Sequence, residues 1–325
     1  MWTFTLTAAL AADLTLVFGS CAHQAKPQPI WRAIAREAPD AVVLLGDNVY
    51  VDSDDPVAFP AAYDRLARKP GFRRLRAKAP VYAVWDDHDY GLNDAGSSWP
   101  LKEVARTQFL EAFGAGPDDP RHHQQGVYGA WTLSDSPRVQ LVLLDTRWDR
   151  SDLAVGPIDA AAGTGPYLPR DHAGARMLGE AQWAWLSAVL AQPADLRIIG
   201  SSIPVLPYFT GWETWSNLPG EQQRLLDLLG DAGGAVVLSG DTHWGELSRR
   251  DAGLPYPLWE LTSSGLTQVW RRIPDNLFRH ADRTMAGRNY GRLVVTDDAL
   301  TLSLHDVRGR ELWTDTIPLA TLHPE

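Results

Sequence analysis

Apolar runs that stop abruptly at small and acidic residues recur along this chain. Leu14-Thr15-Leu16-Val17-Phe18 ends in Gly19-Ser20-Cys21, and Val42-Val43-Leu44-Leu45 ends in Gly46-Asp47-Asn48. Val81-Tyr82-Ala83-Val84 ends in Trp85-Asp86-Asp87-His88-Asp89, and Val236-Val237-Leu238 ends in Ser239-Gly240-Asp241-Thr242-His243. Short continuous apolar runs bounded by turn residues predict strands buried on both faces. Helical spacing and start signals predict helices over 29–36, 63–78 with a break at Pro70-Gly71, 100–113, 179–191 and 221–229. Residues 127–133 and 139–144 alternate like a hairpin, and 197–200 reads as a short strand. Residues 156–174 read as a surface loop, and 204–219, with aromatics among Gly and Pro, as a loop that walls a pocket. After Asp241 the pattern turns β-rich, at 258–261, 292–296 and 300–304. This order predicts an α/β protein of two mixed sheets with helices outside. No linker, repeat or low-complexity tract interrupts it, so residues 13–325 read as one domain.

Composition narrows the partners. Hydrophobic residues make up 45% of the 325 and charged residues 22%, enough for a large core. A net charge of −10 with no basic stripe argues against a nucleic-acid partner. It does not exclude a phosphate substrate where bound cations reverse the local sign. No apolar run reaches the length of a membrane span, so no transmembrane segment is expected. Residues 2–12 are apolar and close on Ala-Leu-Ala-Ala before Asp13, like the tail of a clipped signal peptide. That reading predicts a periplasmic or secreted protein; a first strand or a plain tail would leave it cytoplasmic.

Four strands therefore deliver one thiol, imidazoles and many carboxylates to their carboxyl ends, where open α/β sheets bind ligands. Such donors converging on one edge read as a metal site. Cys21 is the only cysteine and has no internal disulfide partner. Asp47 with Tyr50 could turn both oxygens to one point, a carboxylate bridging two cations and a phenolate suiting a hard trivalent ion. A Gly-Asp turn is equally at home as a helix cap. Asp86, Asp87, Asp89 and Asp94 crowd with His88 and Asn93 into nine residues. Packed carboxylates repel and raise one another's pKa unless a cation neutralises them; a solvated acidic turn is the bland alternative. Asp241 and His243 could reach two adjacent ions or form a satisfied polar turn. Arg147, in Leu143-Leu144-Asp145-Thr146-Arg147, could clamp an anion bidentately or pair with a structural Asp.

Taken in order, these motifs resemble the alkaline phosphatase D (PhoD-like) family of metallophosphoesterases. The landmarks are Gly-Ser-Cys, Gly-Asp-x-x-Tyr, Trp-Asp-Asp-His-Asp with Asn-Asp, Leu-Asp-Thr-Arg, Leu178-Gly179-Glu180-Ala181-Gln182, Ser-Gly-Asp-Thr-His-Trp and Glu260-Leu261-Thr262-Ser263-Ser264-Gly265. The resemblance runs from Gly19 to Gly291 and implies a four-layer α/β/β/α sandwich that hydrolyses phosphate monoesters and diesters. It implies Fe3+ held by Cys21, Asp47, Tyr50 and His243, beside Ca2+ held by Asp47, Asp87 and Asp241. Zn2+, Mn2+ or Mg2+ remain alternatives, and Asn93 with Asp94 could hold a further calcium. Broader metallophosphoesterases place Asp-x-His, Asn and His-x-His where this chain has Cys21, Asp87 and Asp241. They also supply a histidine near Ile198-Ile199-Gly200-Ser201-Ser202, where this chain has hydroxyls. In the mechanism expected at such a centre, His88 would stabilise or protonate the leaving oxygen, with Asp89 or Asp86 orienting its ring, and Arg147 would hold non-bridging oxygens. The expected partner is a small phosphate ester; a phospholipid- or nucleotide-directed phosphodiesterase would share the core. A Gly-Asp-Ser esterase fails, because Asn48 stands at the nucleophile position. A non-catalytic calcium-binding module gives no reason for the thiol.

Overall fold

The computed structural model describes residues 13–157, 165–170, 174–208 and 211–324. The apolar segment 2–12 and part of the 156–174 loop lie outside them. The chain runs β1 (Leu14–Gly19), α1 (Ile30–Ile34), β2 (Ala41–Leu45), α2 (Ala58–Ala67), α3 (Pro70–Arg76), β3 (Val81–Val84), α4 (Asp87–Tyr90) and α5 (Lys102–Ala112). Then come β4 (Gly129–Asp135), β5 (Arg138–Leu143), β6 (Ala154–Val155), β7 (Tyr167–Leu168), α6 (Glu180–Leu190), β8 (Leu196–Ser201), α7 (Pro219–Ala232) and β9 (Ala235–Ser239). The last six strands are β10 (Gly245–Arg250), β11 (Leu258–Ser263), β12 (Arg279–Met285), β13 (Asn289–Val295), β14 (Ala299–Asp306) and β15 (Glu311–Pro318).

Six strands form one mixed sheet in the order β15-β14-β13-β1-β2-β3, and seven form the second in the order β12-β10-β11-β9-β8-β5-β4. In the first, β1, β2 and β3 are parallel; in the second, β5, β8, β9 and β11 are. Among them β1, β2, β3 and β9 are the runs that read as apolar stretches, and β2, β8 and β9 are buried at every position. Burial on both faces requires that composition. The sheets meet face to face, with Leu45 of β2 so close to Gly200 of β8 that a side chain there would lie 2.8 Å from it. Helices cover the outer faces: α1 packs on α3, α2 on α5, and α6 on α7.

The expected helix over 63–78 starts earlier and is two helices, because Pro70 cannot continue α2 but suits the first turn of α3. Within the expected loop 156–174, Tyr167–Leu168 pairs with Ala154–Val155 as a small ribbon. Strands β10, β12 and β15 carry charge that hid them from a hydrophobic pattern. Two of them, β12 and β15, are sheet edges: β15 buries only two of its eight residues and β12 none. No helix among the described residues is long and apolar enough to cross a membrane.

Candidate metal centre

Each chemical group sits just past the carboxyl end of a central parallel strand, in a turn that extended backbone cannot make. Cys21 follows β1 with φ 63°, Asp47 follows β2 with φ 50°, and Asp241 and His243 follow β9 with φ 68° and 64°. A non-glycine residue in the left-handed region costs roughly 1–2 kcal/mol. Such strain concentrated on four residues at three strand tips marks a site whose side chains are turned inward. Gly46, with φ 90°, makes the β2 turn possible: a Cβ there would lie 2.3 Å from the Cβ of Asp86.

The tips converge. Donor atoms of Cys21, Asp47 and His243 lie within 4.8 Å of one another, and so do those of Asp86, Asp87 and Asp241. Asp47 also groups with Asp87 and His88, so it stands between the two clusters. Tyr50 Oη donates to Asp47 Oδ2 at 2.7 Å and lies 3.4 Å from His243 Nε2, beside the first cluster. Cys21 Sγ lies 3.4 Å from Asp47 Oδ2 and 3.1 Å from Ser264 Oγ.

Asp47 Oδ1 and Asp87 Oδ1 are buried with no hydrogen-bond partner among the described residues. Buried carboxylate oxygens left so are costly. Burial pushes the acids of Cys21, Tyr50, Asp47 and Asp241 well up, and neighbouring carboxylates add to it. Asp87 is held at about 2: burial opposes its charge, but Arg147 and His88 outweigh it. Burial, then the charge of His88, lowers His243 to about 4, leaving a neutral ring free to ligate. His88 itself is pushed up to about 11 against its burial, by Asp47, its hydrogen bond to Asp52, and Asp87. A thiol, a phenol, a neutral imidazole and a shared carboxylate, next to a carboxylate-only cluster, are a donor set that fits metal ions, the second cluster through oxygen alone.

Residues 16–289 match the PhoD-like phosphatase family. This chain belongs to that family. No curated protein matches its sequence. Its fold is similar to that of PhoD, at 18% identity and TM-score 0.72, over 95% of this chain and 69% of that one. It is also similar to GAP50, the anchor in the inner membrane complex of Plasmodium, at 15% identity and TM-score 0.62, covering 96% and 89% of the two chains. Purple acid phosphatase PPD1 from yellow lupin seeds matches at 12% identity and TM-score 0.65, covering 94% and 54%. At these identities the likeness is one of fold.

The geometry departs from three roles expected of the mechanism in this PhoD-like chain. Asp89 does not orient His88. It is fully buried and accepts from the backbone N–H of Asp86, Asn48 and Val49, pinning the β2 and β3 turns together. Asp86 does not orient it either; its Oδ1 accepts from Arg147 and from Ser202 Oγ. The group on His88 Nδ1 is Asp52, through a short hydrogen bond. Arg147 is not free for substrate: it is fully buried between Asp86 and Glu213.

Three contributors were not singled out by the sequence pattern. Asp52, φ 47°, lay in an ordinary-looking acidic run after Tyr50. Ser264 accepts from His243 N at 2.8 Å while touching Cys21, and was visible only as part of a landmark. Glu213 takes ion pairs from both Arg147 and Arg150. A lone acid within an aromatic loop was its one available signal. Of the two residues noted for a further cation, Asp94 groups with Asp87 and Glu213, and its N–H donates to Asp87 Oδ2 at 2.7 Å.

Proposed function

We propose that this protein hydrolyses phosphate monoesters and diesters at a dinuclear centre. Cys21, Asp47, Tyr50 and His243 would hold Fe3+, and Asp47, Asp87 and Asp241 would hold Ca2+. One observation carries the reading: Asp47 belongs to two donor clusters, and its outer oxygen has no partner among the described residues. Bound there, the cations supply Lewis-acid charge for the phosphoryl group and an activated water nucleophile at neutral pH.

The chain's own groups do the rest. Asp86 and Asp87, braced by Arg147, keep the second cluster oxygen-rich and negative. His88 faces the same cleft as Asp241 and His243, with Asp52 fixing its Nδ1, so Nε2 is its free face. As water oxygen bonds to phosphorus and the ester P–O bond breaks, His88 gives its proton to the leaving oxygen. Its proton is held chiefly by the charges of Asp47 and Asp87; cations on those carboxylates would loosen it toward neutrality. A calcium site of oxygen ligands suits a calcium-rich compartment. That agrees with the export read from residues 2–12, and we propose a periplasmic or secreted location.

Mass spectrometry of metals on the purified protein, paired with hydrolysis of nitrophenyl phosphate and bis-nitrophenyl phosphate, tests the reading. One iron and at least one calcium per chain with turnover of either ester is expected. A metal-free protein that turns over esters, or a metal-loaded one that turns over none, overturns it.

A further inference from the structure

We propose that the cleft over this centre takes phosphate esters carrying a flat, uncharged aromatic ring close to phosphorus. The proposal rests on the phosphoester reading above and names its substrate class.

The cleft, about 180 Å³, has a mixed lining. That is far more space than the roughly 10–15 Å³ a water needs. Asp87, His88, Asp241 and His243 line it together with Trp212, Trp244 and Trp270. Trp270 leaves 43% of its surface exposed, unusual for so large an apolar side chain beside a catalytic cluster. Its position is set by the site: Trp270 N donates to the carbonyl of His243 at 2.9 Å. Trp212 meets it edge to face, centroids 5.4 Å apart and planes 64° apart. Glu213, the next residue, is locked to Arg147 and Arg150, so the Trp212 loop is tied to the same network. Trp244 is fixed by its indole N–H on Glu246 at 3.1 Å. The three indoles are thus tied to the residues of the donor clusters, Trp212 and Trp244 each by direct chain adjacency.

Aromatic faces and edges set at an angle favour another ring over an alkyl chain. The residues lining the cleft include no lysine or arginine, while Asp87, Asp94, Glu213 and Asp241 are all there. With Asp87 and Asp241 given to the cations and His88 to the leaving oxygen, Asp94 and Glu213 remain to oppose a second phosphate or a carboxylate on the substrate. One polar handle remains: Thr242 lines the cleft, and its buried Oγ1 has no partner among the described residues. The ring is therefore neutral, either a simple aryl group or a nucleobase.

Binding of non-hydrolysable phosphonates to the metal-loaded protein, read by tryptophan fluorescence and by inhibition constants, tests this. Phenylphosphonate is expected to bind about 10-fold tighter than methylphosphonate, the scale of one ring stacked on an indole. Trp270→Ala should bring the two within about 2-fold, and Trp270→Phe should keep most of the preference, with metal content unchanged in both. Adenosine 5′-monophosphate against ribose 5-phosphate, both hydrolysable and so compared as substrates by kcat/KM, separates the sources: a preference there equal to or above the phenyl one assigns a nucleobase, a smaller one a simple aryl group. Equal binding of phenyl- and methylphosphonate by the wild type overturns the proposal, as does a preference that survives Trp270→Ala combined with Trp212→Ala. If methylphosphonate binds and esters turn over without a ring preference, only the aromatic corner fails. If neither phosphonate binds and no ester is turned over, the phosphoester reading fails and this proposal falls with it.

Discussion

Tyr50 Oη donates to Asp47 Oδ2 at 2.7 Å, so the phenol and the carboxylate shared by two clusters act on the same point. Burial and Asp47 hold the phenol protonated in the absence of cations. A ferric ion at Asp47 would displace that proton and give a tyrosinate charge-transfer band in the visible. Tyr50→Phe is expected to abolish the band while the circular dichroism spectrum stays the same. A band of undiminished intensity in the variant would remove Tyr50 from the ligand set.

Asp52 positions His88, and its bond raises the imidazole's pKa. Because His88 acts in its protonated form, activity falls as pH rises through that pKa. Asp52→Asn should therefore shift the alkaline limb of kcat to lower pH and cost roughly 10- to 100-fold in kcat with alkyl esters. Nitrophenyl esters, whose leaving group needs no proton, should lose much less. Profiles that superimpose for wild type and variant would mean that Asp52 has no hold on the acid.

Arg147 sits between Asp86 and Glu213 with none of its side chain exposed. Arg147→Ala leaves two buried carboxylates facing each other, and breaking a buried pair costs about 3–5 kcal/mol. Urea denaturation of wild type and variant measures it. A variant of normal stability with only a raised KM would restore Arg147 to the substrate.

Gly46→Ala should damage the centre without touching a ligand. The added methyl would lie 2.3 Å from Asp86 Cβ, at a φ of 90° that side chains disfavour. Overpacking and backbone strain together are worth roughly 2–4 kcal/mol. Lower metal content and a lower melting temperature are expected; unchanged values of both would show that the β2 turn has slack.

Glu260 is buried and accepts from Val205 N at 2.9 Å and from Leu206 N. Burial raises its pKa to about 7. The folded state therefore binds a proton that the unfolded state has released. Its contribution to stability is full below the ordinary glutamate pKa and is lost as pH rises through about 7. Glu260→Gln should flatten the stability–pH curve between about pH 4.5 and 7 relative to wild type; parallel curves from chemical denaturation would contradict it.

The centre was readable because buried parallel strands leave continuous apolar runs, and each run here ends in the donor it presents. Cys21, Asp47, Asp87, Asp241 and His243 each followed such a run within a few residues. What could not be read were the partners chosen by three-dimensional proximity. Asp89, one residue from His88 in sequence, points away because its carboxylate is needed by three backbone N–H groups. Asp52, 36 residues away, takes the place instead. Arg147 follows the same logic: its partner Glu213 is 66 residues on, in a loop whose aromatics drew the eye. The edge strands β12 and β15 were missed because a half-wet strand needs only half the apolar positions.

Cys21, Asp47, Asp241 and His243 all hold backbone that strand residues rarely adopt. Anyone transplanting this centre onto another scaffold must therefore carry over its turns. The same four side chains grafted at the ends of ideal extended strands would splay apart, and neither donor cluster would form.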